Sequence, residues 1–127
     1  MAHRRNGQGD PHTVYAALVV LFCGIDVGTT NLKVLLLGES GETLWVKSVP
    51  APHLHDGLGV VTDAKALVST IETLIIEGWK AVGQGRAITA ISSAGIGEDG
   101  VTTDADLRPL GHAIQWNDRR GESYANA

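Results

Sequence analysis

An α/β fold is predicted for this 127-residue chain by three observations. Two apolar runs, Leu18–Ile25, which is rich in β-branched residues, and Leu32–Leu37, read as strands, and the gap between them is short enough to require an antiparallel turn. One later segment carries its apolar residues at helical spacing. Further strand-like runs follow that helix, so the predicted order is β-β-β-α-β-β-β.

The first element is preceded by MAHRRNGQGDPHT, residues 1–13, a polar, Gly-rich stretch that reads as a disordered leader. The leader is placed at residues 1–15 and the domain at 16–127. Arg4 and Arg5 before the run VYAALVVLFC imitate a secretory signal. No A-x-A-like cleavage site follows, however, Phe22 stands where a lipoprotein signal needs a small residue, and the run is too short to span a bilayer. The run is therefore read as a strand, and its unbroken hydrophobicity suits burial on both faces. After the second strand, GESGE supplies a turn with Gly41 at its positive-φ position. Thr43–Val49 then completes an antiparallel three-strand meander, with Trp45 on one face.

Residues 50–62 are rich in Pro, Gly and His and read as a loop. Thr62 or Asp63 is the expected N-cap of the one long helix, whose face carries Leu67, Ile71, Leu74, Ile75 and Val82 and whose stop is Gly83. Gly78 weakens this helix without abolishing it. Ala87–Ser93, Val101–Asp104 and Ala113–Trp116 read as the last three strands. No internal repeat is present, and the chain reads as part of a larger α/β domain.

Composition excludes several functions. The chain is 43% hydrophobic and 19% charged, as a globular domain should be, and its net charge of −4 offers no footprint for nucleic acid or an anionic membrane. A single cysteine, Cys23, rules out an internal disulfide framework and fits a reducing, cytoplasmic compartment.

Three motifs carry chemistry. In GIDVGTTNLKVLLL, residues 24–37, an acid sits at the tip of an apolar strand and small residues follow. Gly28 permits close backbone approach, while Thr29 and Thr30 offer N–H and hydroxyl donors that suit a phosphate. Asp26 alone would repel a polyphosphate, so it makes sense beside a divalent cation such as Mg²⁺, with Lys33 as an added point charge. An ordinary β-turn whose Asp caps its own backbone is the competing reading. In GIGEDG, residues 95–100, the letters match a dinucleotide-binding loop, but strand and turn residues follow where a helix must open, and two carboxylates would face a pyrophosphate. Glu98 and Asp99 fit better as acceptors for polyol hydroxyls at a pocket edge, or as a solvated acidic turn. In AIQWNDRR, residues 113–120, Trp116 beside Asn117, Asp118 and two arginines suits a sugar, or else a core tryptophan with a solvated edge. His53 and His55 lack a third metal ligand at matching spacing and read as loop residues.

In combination and in this order, residues 18–121 resemble the amino-terminal part of the FGGY carbohydrate kinases. GIDVGTTNLKVLLL is similar to that family's first phosphate motif, and AISSAGIGEDGVTTDADLRPLGHAIQWNDRR to its strand, sugar-loop and closing W-N-D-R segment. The resemblance implies a ribonuclease H-like, actin-like ATPase fold and transfer of the γ-phosphate of ATP to a sugar or polyol hydroxyl. It implies Asp26 holding Mg²⁺ through water, and Gly28, Thr29, Thr30 and Lys33 near the β- and γ-phosphates. Glu98, Asp99 and Trp116 would line the sugar site, with Asn117 and Asp118 beside them. Glycerol kinases carry Gln-Arg-Glu and xylulokinases Gln-Met-His near the position of Gly97-Glu98-Asp99, so the substrate is left open. The family's general base and adenosine-binding motifs are expected beyond residue 127. A chain of this extent is then expected to be inactive alone, and either a missing C-terminal half or a second copy is its expected partner. A non-catalytic fragment that only binds a ligand or a partner chain is the alternative.

Overall fold

The computed structural model describes residues 20–125. The leader and Leu18 lie outside the described residues. Seven strands form two sheets. In the larger, β1 (Val20–Val27), β2 (Asn31–Leu37) and β3 (Thr43–Pro50) make the antiparallel meander, and β6 (Ala87–Gly95) joins β1 in parallel, giving the order β3-β2-β1-β6. A parallel neighbour needs a crossover. Here that crossover contains two short strands, β4 (His53–His55) and β5 (Val60–Thr62), and the helix α1 (Ala64–Val82). A second sheet, in the order β4-β5-β7, is completed by β7 (Ala113–Ile114), and α2 (Glu122–Ala125) follows.

Period-2 alternation sorts the meander into two faces. The register Cys23↔Leu36↔Trp45 places those three side chains on one face. Cys23, Val34 and Leu36 form the core there with Leu74 of α1, and Ile71, Ile75 and Val82 pack around them. Each fully buried leucine in this layer contributes about 1.5–3 kcal/mol relative to exposure. The opposite face is not covered among the described residues: Phe22 is 36% and Val46 55% exposed. β1 is thus buried on one face rather than both, because the single long helix covers only one side of the sheet. Asp26 belongs to the open face with Phe22 and Gly24, which is how a carboxylate sits in an apolar strand without being buried.

Both ends of α1 follow from local chemistry. Asp63 is the N-cap, its carboxylate accepting the N–H groups of Lys65 and Ala66 at 3.0 Å each. Gly83 remains right-handed at φ −62°, and the chain reverses one and two residues later, at Gln84 (φ 46°) and Gly85 (φ 84°). Arg86 closes this end by donating to the carbonyls of Val82 and Gly83. Gly41, at φ 86°, holds the left-handed position expected for it in the β2–β3 turn.

Two segments depart from the pattern. Residues 50–62 are not simply a loop, because β4 and β5 pair there across a turn stabilised by the Asp56 carboxylate, which accepts from Leu58 and Gly59. Val101–Asp104 is not a strand. It keeps only a single bridge, Thr103↔Pro109, because the Asp104 side chain bonds the N–H groups of Asp106 and Arg108 and curls the segment on itself.

Gly78 has a packing reason. A Cβ there would lie 2.6 Å from the Trp45 ring, so α1 can seat on β3 only with glycine at this point. Gly78→Ala is therefore expected to destabilise the chain by about 1–3 kcal/mol, the usual cost of overpacking. That effect opposes the gain of about 1 kcal/mol that alanine brings to an open helix. Urea unfolding followed by tryptophan fluorescence decides the sign, and a stabilised variant would refute the packing argument.

Candidate functional site

The turn between β1 and β2 is built by their register. Asp26↔Lys33 and Val27↔Leu32 are the last pairs, so Gly28–Thr30 must reverse the chain at once. Gly28 donates to the Asn31 carbonyl at 3.0 Å, and a Cβ on Gly28 would come within 2.9 Å of that same oxygen. Only glycine fits there. The carbonyls of the turn point back into the protein: Thr30 accepts from Ala51 N–H at 2.9 Å, and the Thr29 carbonyl is bonded by Nε2 of His53. Among the described residues none accepts from the N–H or hydroxyl groups of Thr29 and Thr30. Small residues with free donors at a tight corner form a concavity suited to an anion.

Beside this turn lies an open depression of about 270 Å³ lined by Asp26, Gly28, Thr29, Thr30, Lys33 and Ser48, among others. Lys33 Nζ stands 3.9 Å from Asp26 Oδ2, with both side chains about half exposed. An ion pair so placed is worth at most about 1 kcal/mol, so either partner is free to turn toward a ligand. Among the described residues no group of three metal-ligating side chains converges. A divalent cation at Asp26 would accordingly take most of its ligands from water and phosphate, which is how Mg²⁺ is commonly held. One exposed carboxylate beside free donors fits that requirement.

On the other side of the turn is a second cavity, of about 310 Å³, more apolar and reached by Thr29, His53, Thr62, Ile96 and Asp99. Gly28 and Thr29 belong to both cavities and form the wall between them. Asp99 Oδ1 accepts the backbone N–H of Trp116 at 2.8 Å, leaving its second oxygen for another donor, whereas Trp116 itself is 56% exposed and lines neither cavity. Glu98 and Asn117 are exposed and line neither cavity. Asp118 is placed differently. Its two oxygens accept Nε and Nη2 of Arg120 at 2.8 Å each, and Arg120 Nη1 reaches Asp56 at 2.8 Å. This knot pins the end of the W-N-D-R segment to the β4–β5 turn, with Asp118 only 5% exposed.

The sheet order, the phosphate-type turn and the W-N-D-R segment together can be weighed against known proteins. The sequence model of the N-terminal domain of the FGGY family of carbohydrate kinases matches residues 21–127. The chain belongs to that family. Solved structures of FGGY kinases share its fold, the actin-like ATPase fold. A gluconate kinase from Lactobacillus acidophilus superposes with a TM-score of 0.74 at 23% identity, over 85% of this chain and 22% of its own. A xyloylose kinase from Brucella ovis gives 0.72 at 27% identity, over 84% and 22%. Plasmodium falciparum glycerol kinase with ADP gives 0.70 at 21% identity, over 85% and 22%. This FGGY chain thus spans about a fifth of the length of these neighbours. No curated protein sequence matches it. Among the described residues no helix is long and apolar enough to cross a membrane.

Three residues at the site were not singled out by motif: His53, Thr62 and Gln115. Each was visible only as loop, cap or strand material, and nothing local in the sequence signals that they meet. The Arg120 knot has an electrostatic signature. Hydrogen bonds from Arg120, then from Leu58 and Gly59 N–H, hold the Asp56 carboxyl down at about 2, and Arg120 likewise holds Asp118 below the usual carboxylate range. A carboxylate lowered in the folded state stabilises it above the ordinary value near 4. That stabilisation is lost as pH falls toward about 2. Urea midpoints measured across this acid range should fall steeply for the parent chain and less so for Arg120→Gln. Parallel profiles would show that the knot does not form.

Proposed function

We propose that this chain forms the phosphate-side wall and part of the acceptor pocket of an ATP-dependent sugar or polyol kinase, with residues 16–127 as part of the first domain behind the 1–15 leader, in the cytoplasm. The observation that carries this reading is the shared wall. Gly28 and Thr29 separate a polar depression containing Asp26 and Lys33 from a cavity reached by Asp99. A donor phosphate on one side and an accepting hydroxyl on the other would meet across that turn.

Each residue then has a role set by its chemistry. Thr29 and Thr30 donate N–H and hydroxyl hydrogens to phosphate oxygens, and Gly28 keeps the backbone close enough for them to reach. Lys33 adds positive charge beside those oxygens. Asp26 would hold Mg²⁺ through water, and that ion supplies charge neutralisation between the phosphates. Asp99 accepts from a substrate hydroxyl with its free oxygen, and Trp116 offers an apolar face to a sugar ring, while Glu98 and Asn117, which line neither cavity, would reach a substrate only by side-chain rearrangement. Asp118 serves this pocket indirectly, by holding Arg120 and the end of the segment.

Phosphoryl transfer depends on positioning both reactants within a closed, preorganised site. Residues 1–127 by themselves carry one wall of such a site, and the neighbours of similar fold are several times longer. The chain alone is accordingly expected to bind Mg²⁺·ATP weakly and not to turn over sugar. A partner supplying the rest, on the same polypeptide, on another or on a second copy, completes the site. The alternative, a chain that only binds a ligand or partner, differs in having no active complex.

The test is an amide NMR titration of the full chain with Mg²⁺·ATP. Shifts should concentrate at Thr29, Thr30 and Lys33, and Asp26→Asn should weaken binding about tenfold or more, the scale of one charge-assisted contact. Shifts without Mg²⁺ dependence, or none at the turn, would refute the reading, as would robust phosphorylation by an Asp26→Asn chain.

A further inference from the structure

We infer that His53 is a positioning residue that latches the phosphate turn to the acceptor-side segment, an inference that rests on the reading of the site just proposed. The second sheet makes the latch possible. Its register sets His53 opposite Thr62, and Thr62 opposite Ala113, two residues before Gln115. The imidazole therefore lies between the Gly28–Thr30 turn and the residue preceding Trp116, although Thr29 and Gln115 are far apart in sequence.

The hydrogen bonds fix which nitrogen does what. Nε2 of His53 bonds the Thr29 carbonyl oxygen, which can only accept, so Nε2 carries the hydrogen. Nδ1 then accepts, because the Gln115 amide nitrogen at 3.1 Å can only donate, and the Thr62 hydroxyl lies beside it at 3.2 Å. Gln115 leads directly to Trp116, whose N–H is donated to Asp99. One continuous path thus runs from the Thr29 carbonyl through the imidazole to Gln115, Trp116 and Asp99. Thr29, His53, Thr62 and Asp99 all border the 310 Å³ cavity, so the path follows its rim.

The β4–β5 pairing needs only main-chain groups and does not itself require an imidazole. What the ring adds is a fixed spacing between the donors that face a phosphate and the carboxylate that faces an acceptor hydroxyl. Misplacement of reacting groups by about 1 Å costs about a hundredfold in rate, so a side chain that sets this spacing acts on the chemistry without touching either reactant.

The experiment uses the full chain and its variants His53→Phe, His53→Gln and Gln115→Ala. In the parent chain, ¹⁵N spectra of the imidazole should show the Nε2–H tautomer. His53→Phe should raise amide exchange by about three- to tenfold at Gly28 and Ala51, which donate to the Asn31 and Thr30 carbonyls at the turn, and at Trp116, which donates to Asp99, the span set by one hydrogen bond of ordinary net strength, without lowering the thermal midpoint. His53→Gln, which can still donate to the Thr29 carbonyl, should restore protection at Gly28 and Ala51. Adding Mg²⁺·ATP should shift the Trp116 amide in the parent chain and not in His53→Phe. Should His53→Phe fail to fold, Gln115→Ala leaves the ring in place and must both move the Nδ1 resonance and raise exchange at Gly28 and Ala51. An Nδ1–H tautomer, or faster exchange at only one of the two segments, overturns the latch. Absence of any Mg²⁺·ATP shift at Thr29 and Thr30 overturns the phosphate reading instead, and the exchange data then judge the latch by themselves.

Discussion

The parallel pairing of β1 with β6 is the constraint on which the site depends. It ends with Val27 opposite Gly95, so the two strands finish side by side and their following loops leave the sheet at the same edge. A Cβ on Gly95 would come within 3.2 Å of Val27, a contact tight enough to favour glycine where the strands close on each other. Ligands of open α/β sheets gather at the carboxyl ends of parallel strands because only there do two loops diverge around a common crevice. Asp26 and the Gly28–Thr30 turn come from one strand, and the loop bearing Asp99 comes from the other. Chain segments some seventy residues apart are thereby made neighbours by main-chain hydrogen bonds alone.

The helix and the second sheet serve that arrangement from below. α1 supplies the connection that parallel pairing demands, and its apolar stripe closes one face of the sheet over Cys23, Val34 and Leu36. The β4–β5–β7 sheet then ties the crossover to the Gln115–Trp116 segment, while the Arg120 knot fixes its far end to Asp56. Rigidity at the candidate site therefore comes from elements that also wall the 310 Å³ cavity, through Leu67 and Val68 of α1 and through His53, Thr62 and Ala113 of the second sheet.

Much of the fold was legible because its signals are local. Apolar runs marked β1 and β2, helical spacing marked α1 from Leu67 to Val82, and Gly41 marked its turn. β4 and β5 were not legible, since three residues such as His53–His55 carry no periodicity and pair only through non-local partners. The β-branched Val101–Thr103 read as a strand because propensity takes no account of a nearby Asp104 that bonds the following backbone. In the site, Asp26 and Gly28–Thr30 stood out because a tight anion-facing turn needs a narrow choice of residues. The setting of Asp118 was hidden, because its carboxylate could accept from a ligand or from Arg120 equally well on paper. The position of His53 was hidden for a related reason: a histidine near His55 in a stretch rich in Pro and Gly gives no hint of the carbonyl and amide that will flank it.

The outer strand of the larger sheet bears on how the chain behaves in concentrated solution. β6 reads AITAISSAG, nine residues without a charge or a proline, and its far side is paired to nothing among the described residues. Exposed sheet edges in soluble proteins are commonly blunted by lysine, proline or a bulge, because a bare edge templates the addition of further strands. Here Ile91 stands 58% exposed along that edge, which is interrupted only by the register slip at Thr89, so it remains open to a further strand as concentration rises. A strand from another segment or from a partner would find there a ready template of main-chain donors and acceptors.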